Sequence, residues 1–191
     1  MNKEFLQFVI FVSVLYLLLS NKNLAKSFSS GVINLDDSDT GKIYNRYYTQ
    51  ISNIVSAYSL QVDTAMILSV INQETGTLFN NKTNNNITGD NGSAVGYMQI
   101  RQPALTDVNK NFGTNYLFSD LYGETINLIV GSLYLELCYR SALNNNSQNP
   151  VWLAFKKYNG GIDETDLSKN SMANTYANNV YSLYQNYKGV V

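Results

Sequence analysis

The chain has 191 residues, a net charge of −1 and 14% charged side chains. That fits one domain with a short appendage, and the absence of a basic stripe argues against a nucleic-acid partner. There is no histidine and one cysteine, which excludes Ser-His-Asp and Cys-His nucleophilic pairs, His-ligated zinc and an intramolecular disulfide. Carboxylates remain as acid–base groups, with Tyr and Lys beside them. Cys138, inside the run Leu133 to Tyr139, reads as a small buried thiol. No metal site or cofactor is expected.

Phe5 to Ser20 is almost wholly apolar. As a helix it would reach about 24 Å at ~1.5 Å per residue, slightly short of a ~30 Å hydrocarbon core. It is apolar on every side and ends in Asn21-Lys22-Asn23, so residues 1–20 read as an uncleaved membrane anchor rather than a core helix. No good small-x-small cleavage site follows closely, and no cysteine nearby marks a lipoprotein signal. Residues 21–42 are rich in Ser, Asn, Asp and Gly and read as a linker. The folded domain is expected over 43–191.

From Ile43 the pattern turns helical, with Ile43, Tyr47, Ile51, Ile54, Val55 and Tyr58 on one face. Asp63 is placed to cap a second helix that runs to Glu74, where Thr75-Gly76 follows. Leu78 to Val95 is polar and Asn-rich, with Asn91-Gly92 as a turn signal, and predicts a short hairpin or irregular loop. Pro103 suits the first turn of a short helix to about Phe112. Longer helices are predicted over Glu124 to Leu143, Pro150 to Tyr158 and Met172 to Tyr187, with Asn144-Asn145-Asn146 and Gly160-Gly161 as the breaks. The class is mainly α, with a small hairpin or loop region, preceded by an N-terminal hydrophobic helix.

Glu74 draws the chemistry together. An apolar helical run delivers one carboxylate to its last turn, facing the negative end of the macrodipole. Partial burial against that apolar face adds desolvation, and both effects raise a carboxyl pKa toward neutrality. Such a group can protonate the leaving oxygen of a glycoside. Taken alone, a helix-end glutamate is more often merely solvated. In Gly96-Tyr97-Met98-Gln99-Ile100, Gln99 is a polar side chain set between apolar ones, within reach of a sugar amide while backbone groups bind an N-acetyl arm. Tyr158-Asn159-Gly160-Gly161 ends a helix with a phenol and an amide beside a glycine turn. Each of these two segments also has a plain reading, as a half-buried strand and an ordinary helix cap.

The order of these pieces resembles the soluble-type lytic transglycosylases, which share a lysozyme-like fold with goose-type lysozymes. Residues 63–74 resemble that family's helix ending in Glu-Ser, with Thr75 keeping the hydroxyl of the usual serine. Ser93-Ala94-Val95-Gly96-Tyr97-Met98-Gln99 is similar to its Gly-Ala-x-Gly-Leu-Met-Gln segment. Asn127 to Leu135 resembles its Asn-Ile-x-x-Gly-x-x-Tyr-Leu helix, and Tyr158-Asn159-Gly160-Gly161 its Ala-Tyr-Asn-x-Gly element. Lys156 and Lys157 stand where small residues are common, and Tyr176 matches a further family tyrosine.

The resemblance implies an enzyme that cleaves peptidoglycan glycan strands. Glu74 would be the one acid–base catalyst, closing a 1,6-anhydro ring on N-acetylmuramic acid. Thr75, the Met98 backbone, Gln99, Tyr158 and Asn159 would line the cleft, with Tyr158 hydrogen-bonding near the Glu74 carboxyl. A hydrolytic lysozyme is the nearest alternative and needs a second carboxylate, for which Asp90 is the candidate. A structural envelope or virion protein that keeps the fold for peptidoglycan binding or assembly is the other; intact Glu74, Gln99 and Tyr158 argue against it. An anchored domain of this kind would face the peptidoglycan of a bacterial envelope or travel in a phage virion.

Overall fold

Helix α1, Asp39–Ala57, buries Ile43, Tyr47, Ile51 and Ile54, a stripe at the spacing of one helix face. The chain is described by a computed structural model that covers residues 39–76, 83 and 87–191. The expected anchor and most of the expected linker lie outside the described residues. The helix starts at Asp39, four residues before Ile43. Its first turn is tied to two other helices: Asn72 Nδ2 donates to Thr40 Oγ1 at 3.1 Å and Tyr187 Oη to the Thr40 carbonyl at 3.2 Å. These tertiary bonds extend the helix into residues whose composition reads as linker.

Helix α2, Thr64–Thr75, is buried along nearly its whole length. Asp63 caps it, accepting from the Met66 N–H at 2.8 Å. Gly76 ends it with φ at 41°, a left-handed backbone that favours glycine, and its N–H donates to the Asn72 carbonyl. Three two-residue strands follow: β1 (Thr88–Gly89), β2 (Ala94–Val95) and β3 (Ile100–Arg101), antiparallel in that order. Asp90–Gly92 forms the first turn, with Asn91 at φ 56° and Gly92 at φ 89°. Where the sequence predicts a short hairpin or irregular loop, the described residues form a three-stranded sheet that reaches Arg101. The residues from Gly96 to Gln99 turn β2 back into β3, so this segment is neither a strand nor extended.

The rest is helical: α3 (Gln102–Phe112), α4 (Glu124–Asn144), α5 (Pro150–Gly160) and α6 (Ser171–Lys188). Pro103 lies in the first turn of α3, and Gly113 closes that helix in the left-handed region. Asn149 and Asn170 cap α5 and α6 through their side-chain oxygens. Helix α4 is buried without interruption from Asn127 to Cys138, so it forms the core of the domain rather than a one-sided surface helix. Cys138 is fully buried, as its apolar surroundings suggest. One buried charge pins the layers. Glu136 on α4 accepts from the Gln61 and Val62 N–H groups at 2.9 and 3.0 Å and from Arg140 Nε at 2.6 Å. Both of its oxygens are thereby used, which a buried carboxylate requires.

Candidate active site

Glu74 sits one residue before the end of α2 and opens into a cavity of about 410 Å³. Tyr176, in the second turn of α6, donates its hydroxyl to Glu74 Oε1 at 2.6 Å. The other carboxyl oxygen has no protein partner among the described residues. Burial pushes the Glu74 pKa up to about 7; the Tyr176 hydrogen bond and the Arg101 charge pull it down, and Asp90 adds to the rise. Desolvation is the largest cause of the shift. Tyr176 itself stays a neutral phenol, because burial and the adjacent Glu74 hold its pKa well above the ordinary value.

The partner of Glu74 is therefore Tyr176 and not Tyr158. The Tyr158 hydroxyl donates to the Met98 carbonyl at 2.7 Å, and its ring lies against Tyr134 with centroids 5.3 Å apart. Tyr158 lines the cavity as a wall. It is the family resemblance that pairs Tyr158 with Glu74. Only the crossing of α2 and α6 brings Tyr176 closer.

Met98 does not line the cavity with its backbone. It is fully buried, its N–H donates to Asn127 Oδ1 at 3.0 Å, and its carbonyl is taken by Tyr158. Asn127 also donates to the Val95 carbonyl at 2.8 Å. The Met98 side chain fills the space above Gly131, where a Cβ would lie 2.3 Å from its sulfur. Asn127, Gly131 and Tyr158 therefore hold this turn from two helices.

Thr75 is buried and donates its hydroxyl to the Ile71 carbonyl at 2.5 Å, so it caps its own helix and does not face the cavity. Gln99 does line the cavity, in a left-handed backbone at φ 46°. Its Nε2 donates to the Gly96 carbonyl at 2.7 Å, and its Oε1 occupies the place a Cβ on Gly89 would take. The amide braces the sheet, leaving less of it for a sugar than the sequence suggested. Asn159 is exposed on the cavity rim. Lys156 and Lys157 are buried, donating to the carbonyls of Thr165, Ser168, Ile162 and Glu164. They tie down the loop that leads into α6 and so to Tyr176.

Asp90 and Arg101 complete the cavity wall. They form an ion pair on its rim, and both are half-exposed. Asp90 is a turn residue, as its sequence context implies, yet it shares the cavity with Glu74.

A half-buried carboxylic acid poised near neutrality, gripped by a neutral phenol and open to a cavity on one oxygen, has the features of a general acid on a mainly helical scaffold. Residues 51–181 match the family model of the Transglycosylase SLT domain, and the chain belongs to that family. Among solved structures, an inactive mutant of the lytic transglycosylase Slt from Pseudomonas aeruginosa is similar, with 16% identity and a TM-score of 0.57, over 77% of this chain and 24% of that one. The likeness extends to the fold, which is lysozyme-like; this chain spans about a quarter of the length of that protein. No curated protein sequence matches the chain.

Proposed function

We propose that the chain is a peptidoglycan lytic transglycosylase with Glu74 as its single acid and base. The observation that carries this reading is the Glu74 carboxyl in the cavity, pushed up to about 7 and bonded to Tyr176 through one oxygen only. The protonated acid gives its proton to the oxygen joining N-acetylmuramic acid to N-acetylglucosamine. The bond from that oxygen to muramyl C1 breaks, and the substrate's N-acetyl group stabilises the cation. Glu74, now ionised, takes the proton of the muramyl C6 hydroxyl as O6 bonds to C1. A 1,6-anhydro ring closes without water, and Glu74 is again protonated. Tyr176 supports both states: it stabilises the carboxylate and leaves the proton to the oxygen that faces the cavity. In this reading the apolar N-terminal stretch anchors the domain in a membrane, facing the peptidoglycan of a bacterial envelope, or the protein is carried in a phage virion.

A hydrolytic outcome is the second reading, favoured by one observation: Asp90 lines the same cavity as Glu74. Digestion of purified peptidoglycan with mass analysis of the products separates the two. Anhydro-muramyl ends, with Asp90→Asn tolerated far better than Glu74→Gln, are expected. Reducing ends only, with an inactive Asp90→Asn, would establish a hydrolase.

A further inference from the structure

The Asp90–Arg101 pair has a placement that stability does not explain. Arg101 pairs in register with Ala94, which pairs with Gly89. These cross-strand neighbours are too small to bar the guanidinium from reaching across the sheet to Asp90. The two side chains are 58% and 54% exposed, and pairs so exposed contribute little to folding. Asp90 and Asn91 hold left-handed backbone, at φ 48° and 56°, which Asp and Asn tolerate better than other non-glycine residues.

Arg101 is the one cationic side chain lining the cavity among the described residues. It uses Nη2 on Asp90, and the other donors of its guanidinium fork meet no protein acceptor among the described residues. The chain as a whole carries a net charge of −1, so attraction of an anion to this cavity must be local. Glu74, in the same cavity, is held partly protonated near neutral pH and competes weakly for the guanidinium.

Resting on the peptidoglycan reading, we infer that Arg101 is a specificity residue whose guanidinium binds a carboxylate on the muramyl substituent of the glycan strand. Asp90 holds the fork across the cavity until the strand's carboxylate engages the remaining donors side-on, the geometry that guanidinium favours. The carboxylate is either the free lactyl group or one on the attached peptide.

The test uses the full-length protein on peptide-bearing strands, on peptide-stripped strands that expose the lactyl carboxylate, and on both after amidation of their carboxylates. The wild type is expected to prefer carboxylated strands by about tenfold in kcat/KM, mainly through KM, and to lose the preference at high salt. Arg101→Gln should fall by about that factor on carboxylated strands and far less on amidated ones. Arg101→Lys should recover part, and Asp90→Asn, which removes the internal competitor, should increase the preference. The stripped and peptide-bearing arms identify which carboxylate is read. Binding to the same strands by the inactive Glu74→Gln protein, with and without Arg101→Gln, separates this inference from the catalytic one. Carboxylate-selective binding that depends on Arg101, with no cleavage by the wild type, would uphold the specificity and remove the enzyme. Cleavage that is indifferent to amidation, or an equal loss on all strands in Arg101→Gln, would overturn the specificity and leave the enzyme standing.

Discussion

Glu74 shows how one residue couples catalysis to stability. Its carboxyl titrates near the ordinary 4.5 when unfolded and near 7 when folded. The native state therefore binds the proton more tightly. Stability is full below the unfolded value and falls as pH rises through the folded one, by about 3 kcal/mol at roughly 1.36 kcal/mol per unit. Glu74→Gln has no such titration. Thermal melts should show its stability advantage over the wild type growing from pH 5 to pH 8, while wall digestion drops by ~10²–10⁴-fold or more. A constant gap across that range would mean that Glu74 is not the shifted group. Tyr176→Phe acts in the opposite sense on the same carboxyl. Losing the phenol donor destabilises the carboxylate, so the alkaline limb of the pH–rate profile should move upward by about one unit. An unmoved limb would show that the phenol does not reach the carboxyl in solution.

At the scale of elements, the site depends on how the β2–β3 turn is held against α4 and α5. Met98 is the grip: Asn127 takes its N–H, Tyr158 its carbonyl, and Gly131 leaves room for its side chain. A Cβ at Gly131 would come within 2.7 Å of the Met98 Cβ as well as 2.3 Å of its sulfur, so the side chain cannot simply swing away. Gly131→Ala should destabilise the domain by about 1–3 kcal/mol in urea unfolding. It should also lower activity beyond that loss, because Met98 neighbours Gln99 in the cavity wall. A variant with wild-type stability and rate would show that the turn adapts freely. The small residue in α4 is thus explained by close approach of the turn rather than by helix propensity, since glycine inside a helix is otherwise unfavourable.

For the whole molecule, the buried core draws on every helix from α1 to α6, beginning at Ile43 and ending at Tyr187. None of the residues that build the cavity precedes Glu74. A chain of residues 27–191 should therefore fold and digest peptidoglycan without detergent. Failure to fold would mean that the apolar N-terminal stretch is part of the core. No helix among the described residues is long and apolar enough to cross a membrane.

Local chemistry carried much of this into the sequence. Asp63, Pro103, Pro150 and the glycines at 76, 113 and 161 mark helix ends through dihedral preference and capping, which depend on neighbours in the chain. The apolar run before Glu74 likewise announces a carboxylate delivered at the end of a buried helix. What the sequence did not determine is which polar groups meet. Tyr176 lies 102 positions from Glu74 and Tyr158 lies 60 from Met98, so neither bond has a local signature. The hydroxyl of Thr75 and the amide of Gln99 look like ligand groups when read along the chain. In the fold they are largely consumed by nearby carbonyls, because buried donors must find acceptors wherever packing places them. Arg101, too, is an ordinary surface residue in sequence, and only the three-stranded sheet puts it beside Asp90 in one cavity with the acid.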